Sequence, residues 1–308
     1  MFTYNDSKIK IVEVGPRDGL QNEKISLQLE DKMQYISLLA QAGLQTIEAT
    51  SFVRADKIPQ MADAKELFLQ LKKQEYFHHI NFPCLVPNRK GYEAAKAVGV
   101  REISLFSATS DEFSLKNINC TVDESFKRMQ EVATLAKEEG IKIRGYISTA
   151  FGCPYAGDIG VKKLVEVIEK FEELGVYEIS IGDTIGVGTP KQVDDYLKEV
   201  LKVISVEKIA MHFHDTRGMA LSNILVSLEH GVSVFDSSSG GLGGCPYAKG
   251  ATGNVATEDI YYLLNSLGLV TNLDLNKLYL ASKFILEKVQ KQSPSKFFQI
   301  LEQKQGKV

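Results

Sequence analysis

The sequence predicts a closed (β/α)8 barrel formed by one domain, and three observations carry that reading. A phrase recurs along the chain: a polar helix, a glycine, an aliphatic residue, then a short apolar strand. It stands as AQAGLQTIEATSF, KAVGVREISLFSA, AKEEGIKIRGYIS, EELGVYEISIGDT and LEHGVSVFDSS. The glycines of the phrase, Gly43, Gly99, Gly140, Gly175 and Gly231, fall 56, 41, 35 and 56 residues apart, and each 56 is two units of 28. The third observation is the count. Eight strands alternating with helices imply a parallel sheet closed on itself, whereas an open doubly wound sheet usually has five or six. Neither a GxGxxG after the first strand nor a Walker loop is present.

Each element has its own local reason. The first strand is KIKIVEV. Two further strands lack the glycine phrase, INFPCLVP at 80–87 and KIAMHFHD at 208–215. In the other five units the glycine suits the left-handed residue that ends a helix, and the β-branched run after it suits a strand. Apolar residues at helical spacing predict helices over 31–41, 62–73, 91–97, 122–138, 161–173, 190–204 and 219–229, with an eighth over 255–267. The barrel then spans about 8–268. The tail, about 272–305, reads as additional helix outside it, with no Pro/Ser-rich linker to set off a second domain.

Composition narrows the function. The chain has 308 residues, 44% hydrophobic and 24% charged, with net charge −3 and pI near 6.0. No basic tract interleaved with aromatics points to nucleic acid, and no apolar run reaches the ~18 residues that span a membrane. The opening MFTYNDSKIKIVEV lacks the apolar core of a signal peptide, so a cytoplasmic location is expected. The four cysteines, Cys84, Cys120, Cys153 and Cys245, form no CxxC pair. A zinc ribbon or disulfide framework is therefore not expected. Cys84 and Cys120 read as small buried hydrophobes.

Barrel enzymes act at the C-terminal ends of their strands, and the unusual residues of this chain gather there. The first strand runs into VGPRDGLQNE, with Arg17, Asp18, Gln21 and Glu23. The second ends in Glu48, Thr50 and Ser51, and the sixth in Asp183 and Thr184. The seventh carries His212 and His214 and ends in Asp215. In H-x-H on a strand, period two puts both rings on one face, where they hold a metal or hydrogen-bond as a structural pair. Asp18 and Asn254, on strands that neighbour each other in a closed barrel, add oxygen ligands. Two nitrogens, two oxygens and no thiolate suit Mg2+ or Mn2+, with zinc open. Arg17 offers a fixed cation to a developing oxyanion. Glu48 either orients Arg17 or binds at the site. The stretch SSSGGLGGCPYAKGATGN places six of the 24 glycines in 18 residues around Cys245. It reads as a rim loop that closes over substrate and carries the thiol inward. The residues alone leave Cys245 a nucleophile or a proton donor.

Four of these stretches together, VEVGPRDGLQNE, IEATSFV with IPQMADA, HFHD, and SSGGLGGCPYAKGATGN followed by VATED, resemble the 3-hydroxy-3-methylglutaryl-CoA lyase family over about 9–300. GLGGCPYA is specific to that family. H-x-H and RDG are shared with wider metallolyase relatives, the isopropylmalate and homocitrate synthases, which lack the cysteine loop. The resemblance implies a divalent-metal-dependent carbon–carbon lyase that splits the CoA thioester into acetyl-CoA and acetoacetate, in leucine degradation and ketone-body formation. It implies metal ligands Asp18, His212, His214 and Asn254, a catalytic Cys245, a substrate-polarising Arg17, substrate contacts from Glu48 and Asp183, a CoA-side segment at KNINC (116–120), and a homodimer. Asp18 or His212 would accept the substrate's hydroxyl proton. Two departures, Ser239-Gly240-Gly241 before the loop and Arg217-Gly218 after HDT, keep open a longer branched acyl group. Outside that reading stand a metal-dependent hydrolase on the same barrel and a non-catalytic CoA or metabolite sensor.

Overall fold

The computed structural model describes residues 9–244, 253–269 and 271–305. Eight parallel strands form one sheet: β1 (Lys10–Glu13), β2 (Thr50–Ser51), β3 (Cys84–Leu85), β4 (Glu102–Ala108), β5 (Lys142–Ser148), β6 (Glu178–Asp183), β7 (Ile209–Phe213) and β8 (Val234–Ser237). Their order is β1-β8-β7-β6-β5-β4-β3-β2. The sheet curls until its edges meet. The Glu13 amide donates to the Thr46 carbonyl at 3.0 Å, and the Glu13 carbonyl accepts from the Glu48 amide at 2.9 Å. β2 and β3 are shorter than the sequence suggests. For β3 the reason is visible: Pro83 and Pro87 bracket it, and a proline has no N–H to give a ladder.

The helices are α1 (Leu29–Gln41), α2 (Ala64–Leu71), α3 (Arg89–Ala97), α4 (Asp111–Ile118), α5 (Val122–Glu138), α6 (Val161–Leu174), α7 (Pro190–Val200), α8 (Ala220–Glu229), α9 (Thr257–Ser266), α10 (Leu275–Val289) and α11 (Lys296–Gln305). All five phrase glycines have positive φ, between 66° and 96°, as a helix-ending left-handed residue requires. α4 is not announced by the repeat. Ser110 caps its start by accepting from the Phe113 amide, and Asn119, at φ 52°, ends it. The tail holds two helices, because Gln290 turns left-handed at φ 54° and Pro294 follows.

β5 shows how the sheet divides its work. Ile143, Gly145 and Ile147 face the helices, whereas Arg144, Tyr146 and Ser148 face inward. The apolar layer therefore lies between sheet and helices, where Ile103, Leu105, Val132, Phe171 and Phe235 are all buried. A small separate cluster, Val12, Val14, Ala210 and Val234, comes from β1, β7 and β8. Gly145 is glycine because a Cβ there would stand 2.8 Å from the Phe171 ring. Gly145→Val should lower stability by ~1–3 kcal/mol, the usual cost of overpacking, read as a lower urea midpoint at unchanged slope. An unchanged midpoint would mean that α6 yields freely.

Candidate active site

Arg17 and Asp18 lie in a single helical turn, Gly15–Gly19, directly after β1. The Val14 carbonyl accepts from the amides of Arg17, Asp18 and Gly19. In a helical turn neighbouring residues diverge less than the opposite faces of a strand, and both side chains line one cavity. Turns of this wide π type recur at functional sites.

His212 lies one residue before the end of β7, and His214 follows the strand as a bridge to Asn254. The two imidazole centroids are 5.3 Å apart. Segment 253–255 runs against the end of β7: the Gly253 carbonyl accepts from the Asp215 amide, and the Val255 amide donates to the Phe213 carbonyl. That pairing delivers Asn254, whose Nδ2 donates to Asp18 Oδ2 at 2.9 Å and to the Leu242 carbonyl at 3.1 Å. One ligand atom from each of Asp18, His212 and His214 lies within 4.8 Å of the others, and no other such trio occurs among the described residues.

The trio fits a divalent cation. His214 Nδ1 and Asn254 Oδ1 are buried without a hydrogen-bond partner among the described residues, an arrangement that costs free energy unless something is to be bound. Burial, helped by His212, pushes the His214 pKa down to about 4, so the ring is neutral at physiological pH. Burial alone would lift the Asp18 carboxyl, but Arg17, then His212 and His214, outweigh it and hold it at about 2. Two imidazoles and a carboxylate converging on one point are a donor set that divalent cations accept.

Arg17 is fixed from two sides. Nε donates to Glu48 Oε2 at 2.6 Å and Nη1 to Asp18 Oδ1 at 2.7 Å. Nη2 has no protein partner among the described residues. The guanidinium also sits 5.4 Å from the centroid of the Tyr146 ring.

These groups form the inner end of a cavity of about 1160 Å³. Its outer wall carries Arg54, Lys57, Lys65 and Lys90, and Asn117 and Ile118 of the 116–120 segment also line it. Glu48 and Asp183, expected to contact substrate, do not line it. Glu48 is fully buried behind Arg17, and burial raises its pKa against the pull of Arg17. Both oxygens of Asp183 accept loop amides, from Val187 and Gly188 at 2.9 Å. Burial still lifts that carboxyl to about 6. Arg217 likewise turns away, bonding the carbonyls of Ile185 and Gly186.

Cys245 lies outside the described residues. Its neighbour Gly244 lines the cavity. The two legs of the loop touch, since a Cβ on Gly253 would stand 2.6 Å from the Gly243 carbonyl carbon. The roots are held by carboxylates: Ser239 and Gly240 donate backbone N–H to Glu13 and Glu258.

Sequence reasoning missed three inward residues, Tyr146, Arg144 and Asp236. The Tyr146 hydroxyl is buried without a partner among the described residues, and the residue lines the cavity. Arg144, wholly buried, donates two bonds to Asp236 and one to Glu178. Burial alone would raise the Asp236 carboxyl; Arg144 and His212 outweigh it and hold it far below the usual range. The available signal was a charge embedded in an apolar strand, in KIRGYIS and VSVFDSS.

Residues 8–285 match the HMGL-like family. The chain is 50% identical over 292 residues to the mitochondrial hydroxymethylglutaryl-CoA lyase of Rattus norvegicus, covering 95% of this chain and 89% of the relative. It superposes on the hydroxymethylglutaryl-CoA lyase of Pseudomonas aeruginosa with TM-score 0.93 at 44% identity, over 96% and 98% of the two chains. An HMG-CoA lyase of Acinetobacter baumannii, solved in complex with coenzyme A and 3-methylmalate, superposes with TM-score 0.89 at 34% identity, over 96% and 95%.

Proposed function

The chain belongs to the HMGL-like family, and from that premise we propose that it cleaves 3-hydroxy-3-methylglutaryl-CoA to acetyl-CoA and acetoacetate. The observation that carries the proposal is the Asp18–His212–His214 trio meeting Arg17 at the inner end of one large cavity. It is a carbon–carbon lyase, and a CoA thioester fits the cavity's form. About 1160 Å³ exceeds the ~300–1,000 Å³ of ordinary small-ligand sites, and the four basic side chains of the outer wall suit the phosphates of CoA.

Asp18, His212, His214 and Asn254 would hold Mg2+ or Mn2+. When bound, the cation supplies a positive charge that lowers the pKa of a neighbouring hydroxyl. The substrate's tertiary alcohol loses its proton, the adjacent C–C bond breaks, the new ketone leaves as acetoacetate, and the electron pair passes into the acetyl-CoA enolate. His212 Nε2 has one lone pair and cannot serve cation and proton together, so we assign the proton to Asp18. Its Oδ1 already accepts from Arg17 and Gln21, whereas Oδ2, among the described residues, accepts from Asn254 alone. Arg17 presents Nη2 to the enolate oxygen. Glu48 positions Arg17 rather than touching substrate, and Asp183 organises its own loop. Cys245 delivers a proton to the enolate carbon.

The curled sheet is read as a closed (β/α)8 barrel, supported by the Glu13 bonds to Thr46 and Glu48. Residues 1–308 are read as one domain, with a C-terminal extension that buttresses the loop roots: Ser293 Oγ donates to the Gly240 carbonyl at 2.8 Å. The exposed Tyr262, Leu280 and Ile300 of α9, α10 and α11 support a homodimer through that extension. A monomer in sedimentation would count against it.

Two assays test the function. Incubation with the thioester and Mg2+ should yield acetoacetate without free CoA; a hydrolase would release the thiol instead, and a sensor would do neither. EDTA treatment should abolish turnover and Mg2+ or Mn2+ should restore it; unchanged turnover after EDTA would remove the cation from the reading. A panel of longer branched thioesters fixes the acyl preference.

A further inference from the structure

We propose that Asp236 is the positioning residue of the site: it holds the Nδ1 proton of His212 so that the Nε2 lone pair faces the cation. The inference rests on the reading that Asp18, His212 and His214 hold a divalent ion.

The geometry is specific. Asp236 and His212 are register partners on adjacent strands, and Asp236 Oδ2 stands 3.2 Å from His212 Nδ1. The same oxygen accepts from Ser180 Oγ at 2.7 Å and from Arg144 Nη1 at 3.2 Å. Oδ1 accepts from Arg144 Nη2 at 2.7 Å. Arg144 and Ser180 can only approach as donors here, so they demand acceptors at both oxygens. The carboxylate therefore accepts from His212 as well, and the imidazole proton is confined to Nδ1. In the neutral form that a metal ligand must take, an imidazole carries one proton, and with that proton on Nδ1 the Nε2 atom is left bare. Behind Asp236 the contacts continue inward: Arg144 Nε donates to Glu178 Oε1 at 2.6 Å, and Lys10 Nζ to Glu178 Oε2 at 2.9 Å. That ionic frame fixes Arg144, and Arg144 fixes the carboxylate.

A carboxylate behind a ligating histidine is worth about 10–100-fold in metal affinity. Asp236→Asn must oppose an N–H either to Arg144 or to Ser180 and His212, and in the second case the imidazole proton moves to Nε2. The variant should bind Mn2+, counted as free ion by electron paramagnetic resonance, about 10–100-fold more weakly than the unmodified protein. Glu102→Gln alters another buried carboxylate, one bonded by the Tyr177 hydroxyl and outside this frame, and should bind within about twofold of the unmodified protein. Equal loss in both variants would make Asp236 part of a general scaffold and overturn its positioning role; so would Asp236→Asn with undiminished affinity. The unmodified, metal-free protein gives a readout independent of folding. Its His212 15N resonances should report the Nδ1–H tautomer, and Nε2–H would overturn the proposal. A protein that binds no Mn2+ yet shows Nδ1–H would overturn the cation premise instead, so the two failures are separable.

Discussion

Arg17→Gln should lower kcat by about 10²–10³-fold, the range seen when one donor to a developing oxyanion is lost. Cation content should persist, because Asp18, His212 and His214 remain. The magnitude follows from how Arg17 is held. Its Nε and Nη1 are committed to Glu48 and Asp18, so the group left to substrate is pre-aimed and does not reorganise. Arg17→Lys should fail almost as badly. One ammonium cannot satisfy Glu48 and Asp18 and still reach an enolate oxygen, and in a cavity flanked by two carboxylates it will settle on them. Steady-state turnover and metal analysis of both variants check this. Near-normal kcat in the lysine variant would show that charge alone suffices and that the planar fork has no role.

Cys245→Ser should cut kcat by about 10²–10⁴-fold, the usual worth of a positioned acid or base, with cation binding unchanged. Gly244, the residue before Cys245 in sequence, lines the cavity, and Gly243 and Gly253, on either side of Cys245 in sequence, come close together. If the thiol gives the enolate carbon its proton, it must also take one back. The protein should then exchange the methyl hydrogens of acetyl-CoA with D2O, and Cys245→Ser should lose that exchange in step with turnover. Exchange that survives while cleavage fails would move Cys245 away from the enolate.

Much of this arrangement could be read from residue order. Period-two spacing brought His212 and His214 to one face, and the glycine phrase placed helices and strands within a few residues. What escaped has physical reasons. Arg17 and Asp18 reach the same cavity because the chain makes a π turn there, held by the carbonyls of Val14 and Gly15. Glu48 looked like a substrate contact because a carboxylate at a strand end fits either role; only its depth behind Arg17 decides. Asp183 ends a strand whose next loop needs two amides satisfied, a local demand invisible without that loop's path. Tyr146 resembles any aromatic in a strand until it is found lining the cavity. Arg144 and Asp236 were legible in principle, since a charge inside an apolar strand must find a partner. Which partner depends on pairing that no single segment specifies.

The alternation along β5 also governs how the chain finds its alignment. Parallel ladders space their hydrogen bonds evenly, so the backbone alone discriminates poorly between one offset and the next. A slip of one residue would press Arg144 into the Phe171 side and turn Ile143 toward Asp236, exchanging charge and hydrocarbon on both faces at once. A slip of two would keep the faces but strand Arg144 away from Glu178 and Asp236. The ionic seam thus works as a vernier for assembly, giving folding a single correct notch in a sheet whose backbone would otherwise accept several.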